Sequence, residues 1–232
     1  MFDSAPPPPP PRVALGPWYR RRAMGGLFVT LEGIDRSGKT TQARLLCAAL
    51  GETAVAVREP GGTEVGERVR ALLKDPIVEI GPRAEALLFA AARAELVAQV
   101  IRPALAAGRI VVSDRFLDSS LAYQGAARSL GVEEIAYINR WATAGLIPDL
   151  TLLLALDPAT AAGRTGAEED RFESEGLSLQ ERVAAAYERL AEGGPGRWRR
   201  IAADRPPDKV HADVLAAVEV AAAAPSVGSA SG

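Results

Sequence analysis

The chain has 232 residues, 48% hydrophobic and 24% charged, with a formal net charge of −2, which suits one sizeable α/β domain with its own core and excludes a broad basic field for long nucleic acid. One cysteine, Cys47, and one histidine, His211, exclude an intrachain disulfide and a histidine-cluster site, and point to a reducing compartment. No stretch approaches the roughly 20 apolar residues of a membrane span and no secretory h-region is visible, so a cytoplasmic protein without membrane partners is expected.

Residues 1–24 read as a disordered leader, or as sequence upstream of a start at Met24. Pro6 to Pro11 is an unbroken proline run that favours polyproline II, and Arg20, Arg21 and Arg22 follow it. From 25 to 221 the chain alternates short apolar runs with longer helical stretches. Leu27–Leu31 predicts a buried strand and Thr41–Leu50 the helix after it. Ala54–Val57, Ile110–Ser113, Leu150–Leu156 and a weaker run near Arg200–Ala203 predict four more strands. Helices are expected over Arg83–Ala106 and Leu177–Glu192, and residues 222–232 read as a flexible tail. This rhythm predicts a three-layer α/β fold with a parallel sheet of about five strands covered by helices on both faces, and the Gly33–Lys39–Thr40 segment between the first strand and its helix makes the P-loop NTPase kind the expected one. Cys47 falls where a small core residue is expected, and His211 at a surface or helix start.

The segment Gly33–Ile34–Asp35–Arg36–Ser37–Gly38–Lys39–Thr40 matches G-x-x-x-x-G-K-[ST] between an apolar strand and a helix. Glycines let backbone N–H groups curl around phosphates, Lys39 supplies a mobile positive charge, and the Thr40 hydroxyl can ligate Mg²⁺. A nucleoside triphosphate with Mg²⁺ is therefore the expected ligand, with Thr41 opening the helix behind it. Asp114 and Arg115 follow the third strand. An acid there can hold Mg²⁺ or its waters, and the arginine fork suits a second phosphate. Arg58–Glu59–Pro60–Gly61–Gly62–Thr63 follows the second strand and places Arg58 at the same carboxyl edge. Phe89 and Arg93, spaced i, i+4, share one helix face, and the apolar stripe Leu87, Ala91, Ala94, Ala98, Ile101 and Leu105 is expected on the opposite side. A ring beside a guanidinium suits a flat heterocycle.

Together these segments carry a resemblance. The chain resembles the bacterial thymidylate kinases over roughly residues 25–220, through Leu31–Gln42, Arg58–Thr63, Leu87–Ala94, Ser113–Phe116, Ser119–Gly125 and Asp170–Glu173. The resemblance implies phosphoryl transfer from ATP to dTMP, and a homodimer. It implies that Phe89 stacks on thymine, that Arg93 bonds its exocyclic oxygen, and that Arg58 and Arg115 hold the acceptor phosphate region. Tyr123 would pack under the deoxyribose, Ser120 and Gln124 would line the base pocket, and Asp35 would meet the 3′-hydroxyl. Arg164 and the stretch Asp170, Arg171, Phe172 and Glu173 would belong to a lid over ATP, at about residues 163–175. In many relatives an aspartate precedes the base-reading arginine; here Ala92 stands there. Arg36 occupies a P-loop position that bacterial relatives usually fill with glycine, and the lid holds only Arg164 and Arg171. Arg36 is thus expected to stabilise the transferring phosphoryl group from the P-loop side.

A phosphomonoester acceptor is already largely dianionic at neutral pH and needs no general base. A hydroxyl acceptor would need one, from Glu32, Asp114 or Glu59. A nucleotide switch is disfavoured by the lack of an Asn-Lys-x-Asp segment or paired switch loops around a glutamine.

Overall fold

A computed structural model describes residues 25–164 and 176–224. The leader, most of the expected lid (with Asp170, Arg171 and Glu173) and the end of the tail lie outside the described residues.

The strands are β1 (Leu27–Glu32), β2 (Ala54–Arg58), β3 (Ile110–Asp114), β4 (Leu150–Ala155) and β5 (Trp198–Ala202). They form one parallel sheet in the order β2-β3-β1-β4-β5. β1 is buried along its whole length, as a strand covered on both faces must be. Its side chains alternate between two cores. Leu27, Val29 and Leu31 join the larger one with Leu46, Val183, Tyr187 and Val214, whereas Phe28 joins Leu96, Ile101, Val111 and Phe116 on the other face. Phe28 meets Phe116 edge to face at 4.8 Å between ring centroids.

The α-helices among the described residues are α1 (Lys39–Leu50), α2 (Glu64–Lys74), α3 (Pro82–Leu96), α4 (Arg102–Ala106), α5 (Leu117–Ser120), α6 (Val132–Ala142), α7 (Pro158–Ala162), α8 (Leu177–Gly193) and α9 (Pro207–Ala223), and a π-helical stretch, Leu121–Ala127, continues α5. Thr63 caps α2 by accepting the Gly66 N–H, and Asp157 caps α7 by accepting that of Thr160. Cys47 packs half-buried against the larger core, and His211 sits half-buried in the second turn of α9.

The expected helix Arg83–Ala106 is a continuous helical run, but its apolar stripe is not the buried face. Leu87 is 56% exposed, and Ala91 and Ala98 are exposed with it; Ala86, Ala90, Arg93, Leu96 and Val97 face inward. Hydropathy alone turns an arginine outward, whereas here the Arg93 charge is met by a buried carboxylate. A π-helical turn at Val97–Ile101 also takes up an extra residue and shifts the register, so that Ile101 and Leu105 are buried as expected.

β1 lies between β3 and β4, so the chain leaves it in one direction and returns on the other. A crevice opens at the carboxyl ends of such strands. The register aligns Leu31 of β1 and Arg58 of β2 with Asp114 of β3, which sets the P-loop, Arg58 and Asp114–Arg115 around one cleft.

Candidate active site

The cleft encloses about 920 Å³. It is lined by Asp35, Arg36, Ser37, Gly38, Lys39, Thr40 and Thr41 from the P-loop and α1, by Arg58, and by Phe89 and Arg93 from α3. Asp114, Arg115, Ser120, Tyr123, Gln124 and Arg164 complete the expected set. Gly33 and Ile34 contribute backbone instead. The Gly33 carbonyl accepts from Arg115 Nη1 at 3.1 Å, and the Ile34 carbonyl accepts from Lys39 Nζ at 2.6 Å.

The P-loop turns sharply because Gly33, Arg36 and Gly38 adopt φ of 142°, 61° and 97°. The first and last suit glycine; the Arg36 value is the left-handed region that costs an L-residue energy. Arg36 is held there by a reciprocal contact: its Nη1 donates to the Arg164 carbonyl at 3.2 Å, and Arg164 Nη1 donates to the Arg36 carbonyl at 3.1 Å. Arg164 Nη2 also reaches the Ala203 carbonyl at 2.6 Å. Lys39 is buried; burial first, and then the Arg115 charge, lower it to about 8. Thr40 Oγ1 donates to Asp114 Oδ2 at 2.5 Å.

Arg115 follows β3 at φ 71°. Its Nη2 forms an ion pair with Asp35 and donates to Tyr123 Oη at 3.3 Å. The Tyr123 hydroxyl donates to Asp35 Oδ2 at 3.1 Å. Gln180 of α8 adds two bonds: its Oε1 accepts the Asp35 N–H at 3.2 Å and its Nε2 donates to Asp35 Oδ2 at 2.8 Å. Burial alone would raise the Asp35 carboxyl, but Arg115, Lys39 and these hydrogen bonds hold it below its ordinary value. Burial raises the Tyr123 phenol, which stays protonated.

Arg93 is only 1% exposed, and protein acceptors take all five of its N–H donors. Nε bonds both oxygens of Glu59 at 3.1 and 2.8 Å; Nη2 bonds Glu59 at 2.6 Å and the Phe116 carbonyl at 3.3 Å. Nη1 donates to Ser120 Oγ at 3.1 Å and to Asn139 Oδ1. The acid that orients Arg93 is thus Glu59 from the β2 loop, not a neighbour on its own helix. Burial pushes Glu59 up from the ordinary carboxylate value, while Arg93 pulls it back. Gln124 is fixed by Glu85, to which its Nε2 donates at 2.9 Å. Arg58 points to the cleft but is bound to both oxygens of Glu67 at 2.9 Å.

Sequence reasoning missed Gln180, Glu85 and Asn139 as partners of these side chains, and Arg70, Lys74 and Arg205 as further basic lining residues. Gln180 stands 145 residues from Asp35, so no local pattern links them. Arg70 and Lys74 lie one turn apart on α2, a basic spacing that could have marked them.

A P-loop at the switch point of a parallel sheet, facing an acid and several arginines across one cleft, defines a P-loop phosphotransferase. The comparisons narrow the class. Residues 31–214 match the family model described as thymidylate kinase. A thymidylate kinase of Pelotomaculum thermopropionicum is 49% identical over 203 residues, covering 84% of this chain and 94% of that protein. One of Bifidobacterium longum is 50% identical over 198 residues, covering 82% and 96%. The crystal structure of thymidylate kinase from Ehrlichia chaffeensis superposes with a TM-score of 0.71 at 32% identity, over 84% of this chain and 99% of that one. The chain belongs to the thymidylate kinase family, enzymes that phosphorylate dTMP at the expense of ATP.

Proposed function

We propose that this chain transfers the γ-phosphoryl group of ATP to dTMP, giving dTDP for dTTP synthesis, and that the cleft divides into two halves for the purpose. The observation that carries the reading is the joint placement of the P-loop, Asp35–Arg115–Tyr123 and Phe89–Arg93 around one cavity. ATP lies on the side of Gly33–Thr41 and Arg164, and the helix α1 N-terminus and Lys39 meet its phosphates. On the other side Phe89 stacks on thymine and Gln124 lines the base. A thymine oxygen shares the Arg93 N–H now given to Ser120. Tyr123 packs under the sugar, Asp35 receives the 3′-hydroxyl, and Arg115 with Arg58 grips the acceptor phosphate; Arg58 does so by giving up part of its bond to Glu67.

Thr40 Oγ1 and Asp114 Oδ2 lie within hydrogen-bond reach of each other and form a pair of hard oxygen donors that fits Mg²⁺. When bound with ATP, the ion neutralises charge on the phosphates. The residues themselves align the acceptor oxygen with the phosphorus and spread positive charge from Lys39, Arg36 and Arg115 over the transferring group. No side chain need remove a proton from a dianionic phosphate. Glu32, one candidate base for a hydroxyl acceptor, is fully buried and already accepts three hydrogen bonds, which speaks for the phosphate acceptor.

Among the described residues no helix is long and apolar enough to cross a membrane, and a cytoplasmic enzyme is the proposal. The homodimer proposal draws support from α2, α3 and α6, which adjoin and expose Leu72, Leu87, Tyr137 and Trp141. Thermal shift with ATP, dTMP, dUMP, dCMP and dGMP tests the pocket assignment. dTMP should raise the melting temperature most among the monophosphates; equal shifts for all four would refute it.

A further inference from the structure

Glu32 ends β1 with its carboxylate fully buried, and the transfer described above makes no use of it. Its Oε1 accepts the Phe116 N–H at 2.8 Å. Its Oε2 accepts the hydroxyls of Ser119 at 2.6 Å and Tyr187 at 2.8 Å. Both hydroxyls also face Arg115, whose Nη1 lies 3.1 Å from Ser119 Oγ and 3.3 Å from Tyr187 Oη.

The direction of the protons follows from this arrangement. An ionised carboxylate only accepts hydrogen bonds, and each hydroxyl has one proton to give. With both protons drawn to Glu32, the lone pairs of Ser119 and Tyr187 are left for Arg115. The two hydroxyls stand 2.8 Å apart, so without an acceptor at Glu32 one of them would turn its proton toward the other or toward the guanidinium. The backbone is held as well. The Phe116 N–H directly follows Arg115, whose φ of 71° is costly for an arginine.

We propose that Glu32 is a positioning residue for Arg115, turning Ser119 and Tyr187 into acceptors that aim the guanidinium at the acceptor phosphate. This rests on the reading that Arg115 grips the phosphate of dTMP. Glutamine at position 32 would keep a carbonyl for the Phe116 N–H, but its amide would have to donate to a hydroxyl and so turn that proton toward Arg115. The effect should therefore fall on one substrate. Burial, and then the negative charge of Asp118, push the Glu32 carboxyl up to about 7, so kinetics at pH 8 read mainly the ionised form.

The test is steady-state kinetics at pH 8, varying dTMP and ATP separately, for the wild type, Glu32→Gln, Ser119→Ala, the double variant and Arg115→Lys. Glu32→Gln should raise KM for dTMP by about tenfold to a hundredfold, the effect of losing hydrogen bonds to a charged group, and leave KM for ATP within about twofold. Ser119→Ala should raise KM for dTMP less. The double variant should be no worse than Glu32→Gln, because both changes act through one network. An unchanged KM for dTMP in Glu32→Gln, equal losses toward both substrates, or additive effects would overturn the proposal. If Glu32→Gln does not fold by circular dichroism, Ser119→Ala and Tyr187→Phe carry the test, and unchanged KM for dTMP in both would overturn it. No turnover of dTMP by the wild type, or no effect of Arg115→Lys on KM for dTMP, would instead refute the assignment of function on which the inference rests.

Discussion

Replacing Glu59 by alanine gives the most demanding check on how the proposed base pocket around Arg93 is built. Glu59 and Arg93 form an ion pair whose side chains are 4% and 1% exposed. Breaking such a buried pair by removing one partner costs about 3–5 kcal/mol, since the remaining charge is left uncompensated. The structure places this case at the lower end. Arg93 Nη1 keeps Ser120 and Asn139, and Nη2 keeps the Phe116 carbonyl, whereas Nε loses its only partner. A loss of about 3 kcal/mol is expected for Glu59→Ala, and about 1–2 kcal/mol for Glu59→Gln, which retains an acceptor. Urea unfolding of the three proteins measures this, with the m-value checked for constancy. Because the same contact aims Arg93, KM for dTMP should rise about tenfold or more in Glu59→Ala while KM for ATP changes little. A Glu59→Ala protein as stable as the wild type, or one with equal effects on both substrates, would refute the claim that Glu59 orients Arg93.

Arg36→Ala should lower kcat by about a hundredfold or more, as loss of a transition-state donor does; if only Arg171→Ala loses orders of magnitude, the catalytic charge comes from the lid and not from the P-loop. Glu32 links stability to pH. The folded protein keeps its proton up to about 7, against 4.5 for the unfolded chain, so this group's contribution is lost as pH rises through that interval. Relative to wild type, Glu32→Gln should gain on the order of 3 kcal/mol between pH 5 and 8, and a difference independent of pH would contradict the burial argument. Trp141, 82% exposed on α6, should be covered in the proposed homodimer. Trp141→Glu should shift the protein to monomer in light scattering, and an unchanged mass would place the interface elsewhere.

The features legible in the sequence were those written in local patterns. The five strands, the P-loop and the acid–arginine pair after β3 each lie within one short segment, where period, glycine placement and strand-end position speak directly. The face of α3 was misread because hydropathy counts Arg93 as a surface residue. Tertiary contacts, above all the ion pair with Glu59, 34 residues away, make its burial tolerable. Gln180 and Tyr187 were illegible for a related reason. They lie two turns apart on one side of α8 and meet Asp35 and Glu32 across 145 and 155 residues, where a helix of ordinary amphipathic pattern gives no hint of polar contacts at the other end of the chain. Glu32 itself was visible as a carboxylate beside the P-loop. Its complete burial and its three hydrogen bonds were not.

The most direct test of the central claim is the initial rate of ADP formation with ATP and Mg²⁺ when dTMP, dUMP, dCMP, dGMP or thymidine is offered as acceptor. dTMP should be turned over far faster than the other monophosphates, with thymidine near background, because Glu32, one candidate base for a hydroxyl, is buried and already hydrogen-bonded. Equal rates on all acceptors, or ATP turnover unaffected by dTMP, would contradict the assignment.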